Sequence, residues 1–175
     1  MSATLLQDND KCNELEDDRE SCLHVLTWTA SRFTKYTISG GGSNRFFSAF
    51  DEEYEDEDGV KGGDLKKGFL LGCDIPRMVK FDRCPSLDTL IEELTEAFAV
   101  RYETSPPHGD FETLKDMQFN NAPPSYLHSN STFKYQKRLD DLATPSWLVD
   151  TFRRHLNVGR GYKEFPSPSS LSCSG

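Results

Sequence analysis

The sequence lacks long hydrophobic runs and an excess of positive charge. No stretch approaches the ~18 consecutive apolar residues that a membrane-spanning helix requires. Lysine and arginine together number 20 against 29 aspartate and glutamate residues, which gives a net charge of −9. Contacts to phosphate groups dominate binding to nucleic acids and anionic lipids. The charge balance therefore argues against nucleic acid and membrane partners.

Cysteine follows no pattern typical of a disulfide framework or a zinc site. The five cysteines are an odd number, and the acidic N-terminal stretch does not combine basic residues with an apolar region as a secretory signal does. We therefore expect a reducing compartment, the cytosol or the nucleus. Cys22, His24, Cys73 and Cys84 could in principle supply four zinc ligands. They contain no C-x₂-C pair, so we predict no metal site.

Motifs that mark enzymes are missing as well. There is no nucleophile elbow, no phosphate-binding loop and no pair of glycosidase carboxylates. The four histidines permit many pairings with cysteine and single out none. We therefore predict no catalytic residue and no cofactor. A site assembled from distant residues would leave no such motif, so a small enzyme stays an alternative.

The most complete set of helix signals lies in residues 86–102. Ser86 stands at the expected N-cap, and Arg101 lies where a positive charge favours a helix end. One face carries large apolar residues at intervals of three or four positions, the pattern of a helix with one buried side: Leu87, Leu90, Ile91, Leu94 and Phe98. The sequence predicts a central amphipathic helix that forms the core.

The segments around this helix predict strands. β-branched and aromatic residues are frequent between positions 22 and 39, which favours one strand or two with a bend. Two further strands are predicted over 69–75 and 78–81, separated by a proline. We expect these strands to form a small antiparallel sheet.

A second helix is predicted near the C-terminus, over 145–157. Thr144 fits its N-cap, and Pro145 fits the first helical position, where the missing N–H of proline has no partner to lose. The predicted fold class is therefore α+β, with a small antiparallel sheet packed on the helix 86–102 and this second helix behind it.

Composition also predicts the division of the chain. Residues 1–21 are acidic with few large apolar side chains, and we expect them to be mobile. Residues 22–158 form the predicted single domain, interrupted by a flexible, glycine-flanked acidic loop at 40–66. The Ser/Pro-rich residues 159–175 are predicted to be a disordered tail.

The loop 40–66 holds the first candidate contact site. Seven of the eight residues from Asp51 to Asp58 are acidic, and such charges repel and resist compact folding. Three aromatic residues precede them: Phe46, Phe47 and Phe50. We expect residues 46–58 to bind a basic surface of a partner protein. Alternatively, this is an ordinary acidic loop whose phenylalanines pack on the domain.

The same loop contains a candidate phosphorylation site. Ser48 precedes Asp51 by three residues, a pattern typical of acidophilic kinase sites. Phosphorylation would add a charge of roughly −1.5 to −2. It would therefore strengthen the acidic character of the loop.

The second candidate contact site is Pro123-Pro124-Ser125-Tyr126. Pro123, Pro124 and Tyr126 fit the pattern P-P-x-Y, which resembles the ligands of WW domains, including those of ubiquitin ligases that viral late domains recruit. Two prolines preset the polyproline II conformation, so docking into an aromatic-lined groove loses little entropy, and the tyrosine fills a neighbouring pocket. The alternative interpretation is a rigid turn between packed elements.

Several basic residues near the C-terminal end could share one face: Lys134, Lys137, Arg138, Arg153, Arg154, Arg160 and Lys163. They could neutralise the acidic loop of the same chain, contact a neighbouring copy or bind phosphate. We favour intramolecular pairing and keep self-association as an alternative.

Together these features favour a non-enzymatic protein–protein interaction or adaptor protein. One alternative is a viral matrix-type structural or accessory protein that self-assembles and recruits WW-domain proteins of the host. The other is a small enzyme with a spatially assembled site, which a deep polar-lined pocket would favour.

Overall fold

Helices make up most of the fold, beside two small antiparallel sheets. The computed structural model describes residues 1–8, 10–38, 43–52, 54–56, 59–72 and 79–157. The helices are α1 (Ala3–Gln7), α2 (Leu15–Phe33), α3 (Ser43–Ser48), α4 (Asp64–Leu70), α5 (Pro85–Ala99), α6 (His108–Phe119), α7 (Pro124–Ser129), α8 (Ser131–Ala143) and α9 (Trp147–Asn157). The strands are β1 (Tyr36–Ile38), β2 (Tyr54–Asp56), β3 (Gly59–Lys61) and β4 (Val79–Phe81).

Helix α5 is the centre of the core and confirms the predicted apolar face. Leu90, Ile91, Leu94 and Phe98 are buried, and Leu87 is partly buried against them. The helix packs against α2, α4, α8, α9 and β4. Since each such side chain contributes about 1.5–3 kcal/mol on burial, α5 is a major source of stability.

The ends of α5 differ from the prediction. The helix starts one residue early, with Cys84 as N-cap and Pro85 in the first turn, so Ser86 lies inside it. The Asp88 carboxylate accepts a hydrogen bond from the Phe81 N–H at 2.9 Å and so ties the helix to β4. Arg101 lies beyond the helical end and has a partner elsewhere.

A two-stranded antiparallel sheet packs on α5, which confirms the α+β fold class. Strand β1 pairs with β4, with Tyr36 opposite Phe81 and Ile38 opposite Val79. Val79 and Phe81 are buried against the central helix. The second predicted helix is confirmed as α9, but it begins at Trp147, because Thr144 is the C-cap of α8.

The strand predicted over 22–39 is wrong, apart from the short β1. Helix α2 covers most of this segment. Its buried face recurs at alternating spacings of three and four: Asp17, Glu20, His24, Thr27 and Ser31. Because these side chains are polar, the helical period did not appear in the apolar pattern.

The strand predicted over 69–75 is also wrong where the structure describes it. Phe69 and Leu70 belong to α4, and both are buried in the core. Residues 73–78 lie outside the described part of the chain. The strand predicted over 78–81 is confirmed at Val79–Phe81.

Much of the predicted flexible loop 40–66 has regular structure. Helix α3, the paired strands β2 and β3 and the start of α4 occupy most of its described residues. The Glu52 carboxylate accepts hydrogen bonds from the N–H groups of Gly63 and Leu65, at 3.0 and 2.9 Å. One acid of the charged run therefore satisfies backbone donors at the N-terminus of α4.

Residues 1–21, which we predicted to be mobile, contribute to the packed body. Four of their side chains have 0% exposure: Ser2, Ala3, Asp17 and Glu20. The Gly62 N–H also donates to the Leu6 carbonyl at 2.9 Å. The packed domain therefore includes residues before position 22. The predicted tail 159–175 lies outside the described residues.

A buried ion network joins the start of the chain to the end of α5. Arg101 places Nη2 at 2.6 Å from Oδ1 of Asp17 and Nη1 at 2.5 Å from Oε2 of Glu20. The Tyr102 hydroxyl donates to Glu20 at 2.8 Å, and the Ala3 N–H donates to Oε1 of Glu20 at 2.8 Å. These partners satisfy two carboxylates that are removed from water.

The network keeps both acids charged at neutral pH. Burial opposes ionisation of Asp17, but hydrogen bonds from Arg101 and Lys11 outweigh it and hold the pKa of Asp17 well below its usual range. Burial likewise opposes the charge of Glu20, but His24, a backbone N–H and Arg101 lower its pKa. Burial lowers the pKa of His24, whose Nε2 lies 3.5 Å from Oε1 of Glu20.

Candidate functional site

The P-P-x-Y residues lie between α6 and α8, in a segment fixed at both ends. Helix α6 ends at Phe119. Two residues later Asn121 has a left-handed φ of 53°, and the Ala122 N–H donates to the Met117 carbonyl at 2.9 Å. This bond satisfies a carbonyl of the last turn. At the other end, the Asn130 side chain caps α8 by accepting from the Phe133 N–H at 2.9 Å.

The four P-P-x-Y side chains are exposed. Pro123, Pro124 and Ser125 all lie at the surface, and Tyr126 is 64% exposed. Phe119, at the end of α6, is 87% exposed. Since Tyr and Phe rank among the larger apolar groups, their exposure leaves them accessible to a partner.

The expected polyproline conformation is present at Pro123 only. This residue has φ −53° and ψ 140°, but Pro124 is at the start of α7 and Tyr126 lies within that helix. The prediction of an extended P-P-x-Y is therefore wrong for Pro124 to Tyr126. Proline is well tolerated in the first helical turn, because its missing N–H would have no partner there.

The three phenylalanines of the acidic loop are packed on the domain. Phe46 is 0% exposed, and Phe47 and Phe50 are partly buried against the core. The ring of Phe46 lies 5.2 Å from that of Phe47 and 5.4 Å from that of Phe50, both edge-on. This is the packing that our alternative interpretation described. Phe46 and Phe47 lie in α3, and Phe50 follows two residues after that helix.

The acids next to these phenylalanines remain at the surface where they are described. Asp51 and Glu55 are exposed, as is the candidate phosphorylation residue Ser48. Glu53, Glu57 and Asp58 lie outside the described residues. A basic partner would therefore meet the acidic residues of this loop without the buried Phe46.

The described ion pairs of the basic residues are with acids of the same chain, but these acids lie outside the acidic loop that we expected them to neutralise. Arg138 makes a two-point contact with Glu103 at 2.6 Å for each bond. Arg154 does the same with Glu93 at 2.9 and 2.8 Å. Their partners lie in α5 and just after it, which the sequence did not indicate.

These ion pairs border a charged cleft of about 660 Å³ between the end of α4 and helices α5, α8 and α9. Its lining includes the buried Leu70 and Ala99. Its ionisable lining residues are Glu92, Glu93, Glu96, Glu103, Arg138 and His155. Burial opposes the charge of Glu93, but hydrogen bonds from Arg154 and His155 lower its pKa, so the carboxylate is ionised at neutral pH.

His155 connects two groups on the wall of this cleft. Its Nε2 lies 2.7 Å from Oε2 of Glu93, and its Nδ1 lies 3.2 Å from Oγ1 of Thr89. A histidine between a carboxylate and a hydroxyl can accept a proton from one side while the carboxylate stabilises the resulting charge. The Thr89 hydroxyl also lies 3.1 Å from the Pro85 carbonyl, which competes for its proton.

The candidate metal ligands are not brought together by the described structure. Cys22 is exposed on α2, His24 is buried, and Cys84 is the partly buried N-cap of α5. Cys73 lies outside the described residues. The described side chains include no group of three or more histidine, cysteine, aspartate or glutamate residues that could hold a metal ion.

Two further findings bear on the class of this protein. Of the helices in the described ranges, none has both the length and the apolar character needed to cross a membrane. Comparisons with family models, curated proteins and solved structures gave no match. Function is therefore inferred from the residues and their geometry.

Proposed function

We propose that this chain is a protein-interaction module that presents P-P-x-Y to a WW-type partner. The observation that carries the proposal is the exposure of the whole P-P-x-Y stretch, with Tyr126 at 64%, on a segment anchored at both ends. Exposed tyrosine and proline suit docking into an aromatic-lined groove.

Calorimetry of the full chain with a panel of WW domains tests this function. We expect at least one domain to bind, and Tyr126→Ala to weaken binding at least about tenfold, because buried aromatic anchors dominate interface energy. Phe33→Ala is a matched control, since Phe33 is an exposed aromatic residue (82%) on α2. Equal affinities for the wild type and Tyr126→Ala would contradict the proposal.

The acidic loop is a second contact surface in this proposal, for a basic partner. Support comes from the exposed Asp51 and Glu55. Binding should weaken as salt rises, because exposed charges are screened. We also propose that the protein resides in a reducing cellular compartment.

A small enzyme is the second candidate, favoured by the position of His155 in the cleft. With these contacts to Glu93 and Thr89, His155 is arranged like a catalytic base that a carboxylate orients beside a hydroxyl group. Chromogenic ester, amide and phosphate substrates provide a screen. Any activity should be lost in both His155→Gln and Glu93→Gln and kept in Arg153→Gln, whose side chain is 70% exposed. Activity that survives in His155→Gln would contradict this candidate.

A further inference from the structure

Helix α7 holds the P-P-x-Y residues in a conformation that a WW-type groove does not accept. Such grooves bind extended polyproline II segments, whereas Pro124 to Tyr126 are helical here. We infer that α7 is a closed state of the recognition segment and that partner binding requires it to unwind. This inference rests on the proposed function and adds a conformational step that regulates the affinity of the same site.

The contacts within α7 make unwinding accessible. The helix has six residues, none of them buried, and isolated helices shorter than about 12–15 residues are marginal in water. Two backbone bonds tie its first turn to the N-cap: the Tyr126 N–H donates to the Pro123 carbonyl at 2.9 Å, and the Leu127 N–H donates to the same oxygen at 3.4 Å. Both amides would be exposed to water after unwinding, so their loss is largely compensated by solvent.

Other contacts keep the helix populated in the free chain. Leu127 is half-buried, and the His128 ring lies edge-on to the Phe133 ring at 5.4 Å. The Ser129 hydroxyl donates to the Tyr126 carbonyl at 2.8 Å. These contacts are few, so the extended state is a minor conformation within reach of binding energy.

The fixed ends determine how the segment can open. A helix rises about 1.5 Å per residue and polyproline II about 3.1 Å. Extending residues 124–126 therefore adds about 5 Å of chain between the turn at Asn121 and the cap at Asn130. Because both ends are held, the extended segment must move outward from the body. Residues 127–129 must leave the helical conformation as well.

Two substitutions at Ser125 shift this equilibrium in opposite directions. Ser125→Pro keeps P-P-x-Y and disfavours the α conformation at Pro124, so it favours the extended state. Ser125→Ala keeps P-P-x-Y and favours the helix, because alanine is the best helix former. Affinity scales with the fraction of the competent state.

Calorimetry with one WW domain tests the inference, using the full chain and a peptide of residues 118–132. In the full chain we expect Ser125→Pro to bind about 3–10-fold more tightly than the wild type and Ser125→Ala to bind more weakly. In the peptide, which has no anchored helix to open, both changes should be smaller. Identical changes in the chain and the peptide would overturn the inference but leave the proposed function standing. A peptide that binds no WW domain would overturn both.

Carbon chemical shifts of the saturated complex give a second measurement that does not depend on the variants. We expect residues 124–128 to change from helical to extended values when the WW domain binds the full wild-type chain. Helical shifts retained at saturation would overturn the inference. Denaturation of both variants checks that the body stays folded.

Discussion

The regions around Glu20 and Tyr126 differ in whether polar or apolar side chains are buried. Glu20 is fully buried and has partners in two separate parts of the chain: Ala3 at its start, and the neighbours Arg101 and Tyr102 after α5. Tyr126 is 64% exposed, in a helix that buries none of its residues. In this comparison, a charged side chain is buried and an aromatic side chain is exposed.

The difference separates stability from contact. A buried carboxylate is tolerated only while its partners remain in place, so the ion network makes the start of the chain and the end of α5 depend on one another. The exposed segment has no such dependence, so its residues can change conformation or partner without disturbing the core. Four predictions test this contrast.

The largest expected effect is that of Arg101→Met. Removing the guanidinium leaves Asp17 and Glu20 as buried charges without their main partner, which typically costs about 3–5 kcal/mol. The free energy of unfolding from urea denaturation measures this loss. Arg153→Met is the control, because its pair with Asp150 is exposed on both sides (70% and 57%) and such pairs contribute about 0–1 kcal/mol. Similar losses in both variants would contradict the role of the network.

Acidification should destabilise the chain in two stages. The folded state lowers the pKa of His24 below its ordinary value of 6.5, so below that pH the unfolded chain binds a proton that the folded chain does not, and stability falls. The lowered pKa values of Asp17 and Glu20, ordinarily 3.8 and 4.5, contribute stability above those values that is lost as the pH falls further.

Unfolding free energies measured from pH 8 to pH 3 check these two stages. His24→Gln should remove the stage below about pH 6.5 and retain the loss at lower pH. A profile unchanged by this substitution would show that His24 does not contribute. The surface variant Arg153→Met should follow the wild-type profile.

A smaller effect is expected where the start of the chain contacts the loop after β3. Gly63 has φ +92°, and a Cβ there would lie 2.7 Å from the Ala3 carbonyl oxygen. Gly63→Ala should destabilise by about 1–3 kcal/mol. Gly68→Ala is the matched control: it lies in α4 with open space around it and should stabilise by about 0.5–1 kcal/mol. Thermal denaturation distinguishes the opposite signs.

The smallest effects on stability are expected at the exposed segment. Phe119→Ser and Tyr126→Ala should each change the free energy of unfolding by no more than about 0.5 kcal/mol, because these side chains are exposed. Urea denaturation provides the measurement. A loss near that of Arg101→Met would show that the segment supports the body and would remove the contrast between the two regions.

Helix α5 could be predicted from the sequence because its signals are local. Its apolar side chains repeat at the helical period, so the side that is buried is the side that is apolar. The position of P-P-x-Y at the surface followed from proline chemistry in the same way. Its helical conformation did not, because α7 depends on anchoring by α6 and α8.

Helix α2 and Phe46 could not be predicted in this way. The buried face of α2 holds Asp17 and Glu20, which local composition assigns to the surface. Phe46 lies beside a run of acids, which favoured exposure, yet it is fully buried. In both cases the neighbours that decide burial are distant in the chain.

The sequence by itself determined the central amphipathic helix, the helix near the C-terminus, the α+β class and the location of the proline–tyrosine stretch. Only the tertiary structure decided which charges are buried, because a buried carboxylate requires a partner that the chain brings from far away. Arg101 lies 84 positions from Asp17, beyond the range of any local pattern. Likewise, residues distant in the chain decide that Phe46 is buried and that Tyr126 is exposed.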